Sequence, residues 1–142
     1  MTLRLLPHQK EVHDLALAGA LPPTVLLYWG MGSGKTIGAL ACTHVLRGAS
    51  NRRVLVLCDL SLVDQWRHAI ASFSRSPYGA ADVGPIDVHH YQELNKSVVP
   101  ARYGMCIVDE SHRFRNVAKT SADGGYAPKE LSQWLDMIVR CP

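Results

Sequence analysis

The chain has only four cysteines, and no two of them stand at C-x-x-C spacing. Cys42, Cys58, Cys106 and Cys141 are scattered, which argues against a disulfide scaffold or a zinc cage and for reduced, buried thiols. No apolar run approaches the length of a membrane span, and the first seven residues, Met1 to Pro7, lack the apolar core of a signal peptide. Internal repeats and low-complexity tracts are missing as well. Charge of one sign is scarce: the net charge is +3 with histidine neutral. That permits contact with a nucleic acid and does not demand it. These absences leave a soluble, intracellular protein that touches no membrane. At 142 residues, 47% of them hydrophobic, it is long enough for one domain with a real core. Seven histidines include the neighbours His89 and His90, which on a strand should face opposite ways and so serve one metal ion poorly.

The most informative stretch is Gly30-Met31-Gly32-Ser33-Gly34-Lys35-Thr36, placed after the apolar run Val25 to Trp29. It reads as a buried strand over 24–28, a glycine-rich turn and the start of a helix. Glycines let successive backbone N–H groups converge on one anion, and a helix N-terminus adds unpaired donors and a positive dipole end. Lys35 brings a cation to terminal phosphates, and the Thr36 hydroxyl suits Mg²⁺. The strict pattern G-x-x-x-x-G-K-[ST] asks for glycine at position 29, where this chain has Trp29. A plain glycine-rich helix entry is the competing reading. A second motif weighs against it.

That second motif is the apolar strand Tyr103 to Val108 delivering Asp109 and Glu110. An acid in this place can hold Mg²⁺ through water, and its neighbour can orient or deprotonate an attacking water. Between the two motifs the pattern alternates. Pro7 opens a helix carrying Val12, Leu15 and Ala16, and Ile37, Leu40, Ala41 and Val45 mark a helix to about residue 47. Arg53 to Cys58 reads as a buried strand. Ser61 caps a helix whose inner face is Leu62, Val63, Trp66, Ala69, Ile70 and Phe73. Ile86 to His89 is a short strand, residues 92–95 a short helix or turn, and a last helix runs from Pro128 to about Arg140. Apolar strands alternating with amphipathic helices predict a parallel sheet covered on both faces, with ligands beyond the carboxyl ends of its strands.

The residues resemble a known family. Asp109-Glu110-Ser111-His112 is similar to the DExH box of superfamily 2 helicases. The run Val108 to Asn116 looks most like the double-strand DNA translocase branch that includes the SWI/SNF remodelling ATPases. Leu5-Leu6-Pro7-His8-Gln9 resembles the L-x-P-[YH]-Q element of that branch, and Tyr28 to Thr36 its phosphate loop (Walker A). Leu60 to Trp66 is similar to motif Ia, and His90-Tyr91-Gln92-Glu93-Leu94 echoes the S-Y-E-x-L segment. Asp59 departs from the proline usual in motif Ia.

The resemblance implies a RecA-like P-loop NTPase lobe of three α/β layers, with ATP and Mg²⁺ as cofactors. Gly30, Gly32, Ser33, Gly34, Lys35 and Thr36 would bind phosphates, and Gln9 would read adenine. Thr36 and Asp109 would hold the metal; Lys35, Asp109 and Glu110 would be catalytic. His112 would couple nucleotide to nucleic acid, and Ser61, His90 and Tyr91 would touch it. The partner implied is nucleic acid, double-stranded DNA first.

The family's next strand, carrying S/T-[AG]-T-P, has no counterpart before Pro142, and neither has a second RecA-like domain. The expectation is therefore a single lobe over 1–142, lacking its last strand. It would bind Mg–ATP but hydrolyse it only when a second lobe, in cis or in trans, supplies an arginine finger, a contribution of roughly 10³–10⁵ in rate. A non-hydrolysing regulatory module derived from such a helicase shares every one of these residues. A packaging or transport ATPase has no need of Gln9 or of the 109–116 stretch.

Overall fold

A computed structural model of the chain describes residues 3–22, 25–30, 32–46, 53–76, 85–93 and 102–109. Helix α1 spans Pro7–Leu17 and α2 spans Lys35–Leu46. Strand β1 is Arg53–Cys58. A 3₁₀ turn at Leu60–Leu62 leads into α3, Val63–Ser74. Strand β2, Ile86–His90, is followed by a 3₁₀ turn at Tyr91–Glu93, and β3 is Tyr103–Val108.

These three strands form a parallel sheet in the order β2-β1-β3, flanked by helices, an arrangement in keeping with a RecA-like lobe. β1 is central because it can be buried on both sides: Val54, Leu55, Val56, Leu57 and Cys58 are all fully inaccessible. Alternation sends Val54, Val56 and Cys58 to one face, where they join Val88, Ile107, Leu40 and Ala41 of α2, and Val63, Trp66 and Phe73 of α3 in one core cluster. The register pairs Arg53 with Tyr103 but Val54 with Met105, so Gly104 is the extra residue of a bulge.

The helix starts and stops follow local chemistry. Pro7 occupies the first turn of α1, and Gly19 ends it at φ 66°, with its N–H on the Ala16 carbonyl and the Ala20 N–H on that of Leu15. Ser61 does not cap α3. The Leu62 N–H closes a turn on the Asp59 carbonyl at 3.0 Å, so the helix begins two residues later and Ser61 stays exposed on the preceding turn.

One expected strand, over 24–28, is not formed in its described part. Residues 25–28 lie in no strand; Leu26 is 72% and Tyr28 92% exposed. Their apolar, β-favouring composition is a preference for lying between neighbours, and β3 has its ladder with β1 alone among the described residues. Among the described residues, the glycine turn therefore follows a run that belongs to no strand. Glu110 to His112, the polar segment after them and the helix expected over 128–140 lie outside the described residues. No helix among those described is long and apolar enough to cross a membrane.

Candidate nucleotide site

The glycine turn is held by α1. Gln9, only 3% exposed, accepts the Leu6 N–H on Oε1 at 2.8 Å and donates from Nε2 to the Gly34 carbonyl at 2.9 Å. Next to it, His8 reaches the Ser33 carbonyl with Nε2 at 2.7 Å. Gln9, expected to read adenine, thus spends one donor and one acceptor inside the protein.

Two of the glycines are required by backbone geometry. Gly32 has φ 72° and Gly34 φ 79°, a region that side-chain-bearing residues avoid. A Cβ on Gly34 would also lie 2.3 Å from Gln9 Nε2. Gly30 has open space and no such φ; its carbonyl closes the turn on the Ser33 N–H at 3.3 Å. Trp29, where the strict motif has glycine, stacks edge-on to His8 with ring centres 4.6 Å apart. Its ring presses on α2 so closely that a Cβ on Gly38 would sit 2.7 Å from it. The aromatic ring is accommodated because the helix is bare at that point.

Lys35 opens α2, is exposed, and donates from Nζ to the Trp29 carbonyl at 2.6 Å. The ammonium is bent back across its own loop. Thr36 follows in the first turn of α2. The Ser33 hydroxyl oxygen is buried and has no hydrogen-bond partner among the described residues. A buried hydroxyl without a partner, an ammonium resting on a main-chain carbonyl and the open N–H groups of a helix start form a donor set suited to a polyphosphate. The residues present fit such a group.

At the carboxyl end of the sheet Asp109 continues the ladder, its N–H bonded to the Leu57 carbonyl at 2.9 Å. Its Oδ2 accepts the indole N–H of Trp66 at 2.8 Å, and its carbonyl accepts the Tyr91 hydroxyl. α3 and the turn after β2 therefore both brace this acid. Tyr91, expected at a nucleic-acid surface, is 1% exposed and faces inward onto Asp109. Burial removes its ring from any surface contact. Ser61 is exposed, and His90 is half-buried at the end of β2.

The histidine neighbours meet a common partner. His89 Nδ1 and His90 Nε2 lie 2.5 and 2.8 Å from the two carboxylate oxygens of Glu93. Strand alternation predicts opposite faces, yet both rings reach Glu93 in the 3₁₀ turn beyond the strand tip. Among the described residues no group of three or more His, Cys, Asp and Glu is placed to hold a metal ion.

Burial pushes the Cys58 thiol up to about 11, and the carboxylates of Asp109 and Asp59 push the same way. Cys58 is thus a neutral core group beside the acids rather than a nucleophile. Sequence reasoning missed His8, Trp66 and Glu93 as parts of this edge. The signal for each was its place in a quoted segment, Trp66 in motif Ia, His8 beside Gln9 and Glu93 beside Tyr91; their contacts are set by tertiary packing.

The family model of the type III restriction enzyme, res subunit, matches residues 2–127. No curated protein and no solved structure matches the chain.

Proposed function

From the premise that this chain belongs to the family of type III restriction enzyme res subunits, and so carries a helicase-like ATP-binding domain of superfamily 2, we propose that it is the nucleotide-binding motor lobe of an ATP-dependent DNA translocase, closest in its motifs to the SWI/SNF-like branch. The observation that carries this reading is the glycine turn itself. Gly32 and Gly34 hold left-handed backbone, two carbonyls are tied to α1, and Lys35 and Thr36 open α2 immediately after.

In this reading the turn's N–H groups and Lys35 bind the phosphates of ATP, with Lys35 leaving the Trp29 carbonyl to do so. Thr36 and Asp109 would hold Mg²⁺, largely through water, and Trp66 keeps the Asp109 carboxylate aimed. A divalent ion bound there would supply charge neutralisation to the phosphates. Glu110 orients or deprotonates the attacking water, and His112 couples this edge to DNA. Ser61 and His90 lie on elements that end at the same edge of the sheet, where phosphate contacts fix position without reading sequence. Tyr91 enters as a brace for Asp109.

Turnover in this proposal requires a second lobe in cis or in trans, because the transition-state arginine and the closing cleft come from there. Calorimetry of the folded chain with Mg–ATP tests the binding half: heat at sub-millimolar nucleotide is expected, and none at millimolar ATP refutes it. The second-lobe requirement is tested by turnover of the purified 142-residue chain, which should be feeble with DNA present. Robust DNA-stimulated hydrolysis would remove that requirement.

A further inference from the structure

We propose that His8 is a positioning residue for the phosphate loop: together with Gln9 it turns two successive loop carbonyls toward α1 and thereby aims the N–H groups of Gly34 and Lys35 at the phosphates. The inference rests on the nucleotide-binding reading above and adds a residue to it. His8 Nε2 lies 2.7 Å from the Ser33 carbonyl, and Gln9 Nε2 lies 2.9 Å from the Gly34 carbonyl. These are consecutive acceptors held by consecutive side chains.

The consequence follows from peptide geometry. In a planar trans peptide the carbonyl of one residue and the N–H of the next point in opposite directions, and none of the described peptides is cis. With the Ser33 carbonyl drawn to α1, the Gly34 N–H faces away from α1. The Gly34 carbonyl accepts the Gly38 N–H of α2 at 3.0 Å as well as Gln9 Nε2, so the Lys35 N–H is aimed by the first turn of α2 and by Gln9 together. An anion then meets donors already aimed, with less ordering to be done on binding.

Only His8 Nε2 carrying a proton can make this contact, since a carbonyl accepts. The neutral ring is thereby set as the Nε2–H tautomer. Trp29 supports that setting by packing edge-on against the imidazole at 4.6 Å. Gly34 has no room for a Cβ beneath Gln9, so the two clamps and the glycine are matched.

The test measures Mg²⁺-dependent binding of tripolyphosphate and of ATP to the full chain. Three proteins are compared: the wild type, His8→Phe, which keeps a ring and loses the donor, and His8→Gln, which restores a donor. The Phe variant should bind both ligands about tenfold more weakly, the scale of one lost hydrogen bond. Its ligand-free melting should stay near that of the wild type. The Gln variant should recover most of the affinity, which a merely structural role for the ring would not predict. Should the Phe variant fail to fold, His8→Ala removes the same donor and is read the same way. Unchanged affinity in the donor-less variant overturns the inference, and so does a Gln variant as weak as the Phe variant. A wild type that binds neither ligand brings down the nucleotide reading first, and the positioning role with it. Binding of ATP without tripolyphosphate in the wild type instead overturns the positioning role alone.

Discussion

The indole N–H of Trp66 donates to Oδ2 of Asp109 at 2.8 Å, so a helix in the core holds the acid at the tip of β3. Trp66 is 4% exposed and packs in the core cluster, while Asp109 stands at the sheet's carboxyl edge. One side chain therefore links packing to the aim of a candidate metal ligand. Replacing Trp66 by Phe removes a hydrogen bond to a carboxylate and leaves a cavity, for a cost of about 2–4 kcal/mol. Urea unfolding measures that loss. In the same variant, nucleotide affinity with Mg²⁺ should fall more than affinity without it.

Lys35→Ala should leave the fold nearly untouched, since Lys35 is exposed and its contact is to a carbonyl of its own loop. The change in unfolding free energy is below about 1 kcal/mol. Mg–ATP affinity should fall by at least about tenfold, the scale of one charge-assisted phosphate contact. Equal affinity in calorimetry would separate this lysine from the phosphates.

Gly34→Ala combines two penalties: a side chain at φ 79° and a Cβ placed 2.3 Å from Gln9 Nε2. A residue held in such a conformation costs on the order of 1–3 kcal/mol, so the loop should rearrange instead. Nucleotide binding is expected to vanish while the melting temperature drops only a few degrees. Gly30→Ala, with open space and no left-handed backbone, is the matched control and should bind.

Three strands are tied at their amino ends by Asp87. Arg53 donates to it from Nε and Nη2 at 2.7 and 2.6 Å, and the Tyr103 hydroxyl donates at 2.9 Å. The Arg53 bonds hold the Asp87 carboxyl below the ordinary aspartate value, and Tyr103 adds to this. A depressed carboxyl contributes stability above its unfolded value, about 3.9, and loses it as pH falls through the lower folded value. Asp87→Asn should therefore be less stable than the wild type at pH 6, with the gap closing below about pH 4. Chemical unfolding at both pH values reads this. The Tyr103 phenol, pushed up to about 12 by burial and by Asp87, keeps its share until strongly alkaline pH.

Cys42 and Cys58 are buried, and burial lifts both thiols to about 11. Neither should react with iodoacetamide at pH 8 in the folded chain, and both should react in urea. Mass spectrometry of labelled peptides decides it; native labelling of Cys58 would place it at an open surface.

Periodicity located most elements because it reports a local cause. The run Arg53 to Cys58 is apolar at every step, which only a strand buried on both faces tolerates, and Leu62, Val63, Trp66 and Phe73 repeat at helical spacing. The run Val25 to Tyr28 was misleading for the same reason. A strand needs a partner edge, and composition carries no information on whether one is offered. Ser61 had the chemistry of a cap, but a turn closed by the Asp59 carbonyl moved the helix start past it. His89 and His90 are neighbours on a strand and still meet at Glu93, since the turn beyond β2 lies outside any strand rule.

By itself the sequence determined the parallel α/β class, the glycine turn ahead of a helix and the acid at the end of a buried strand. Each of these is written in adjacent residues, where backbone freedom, spacing and polarity act over a few ångströms. Tertiary structure alone decided that Gln9 and His8 clasp the turn, that Tyr91 faces inward, and that Trp66 holds Asp109. Those contacts join residues 18 to 43 positions apart. The choice among possible hydrogen-bond partners at such separations is made by how helices pack on the sheet, and no local pattern encodes it.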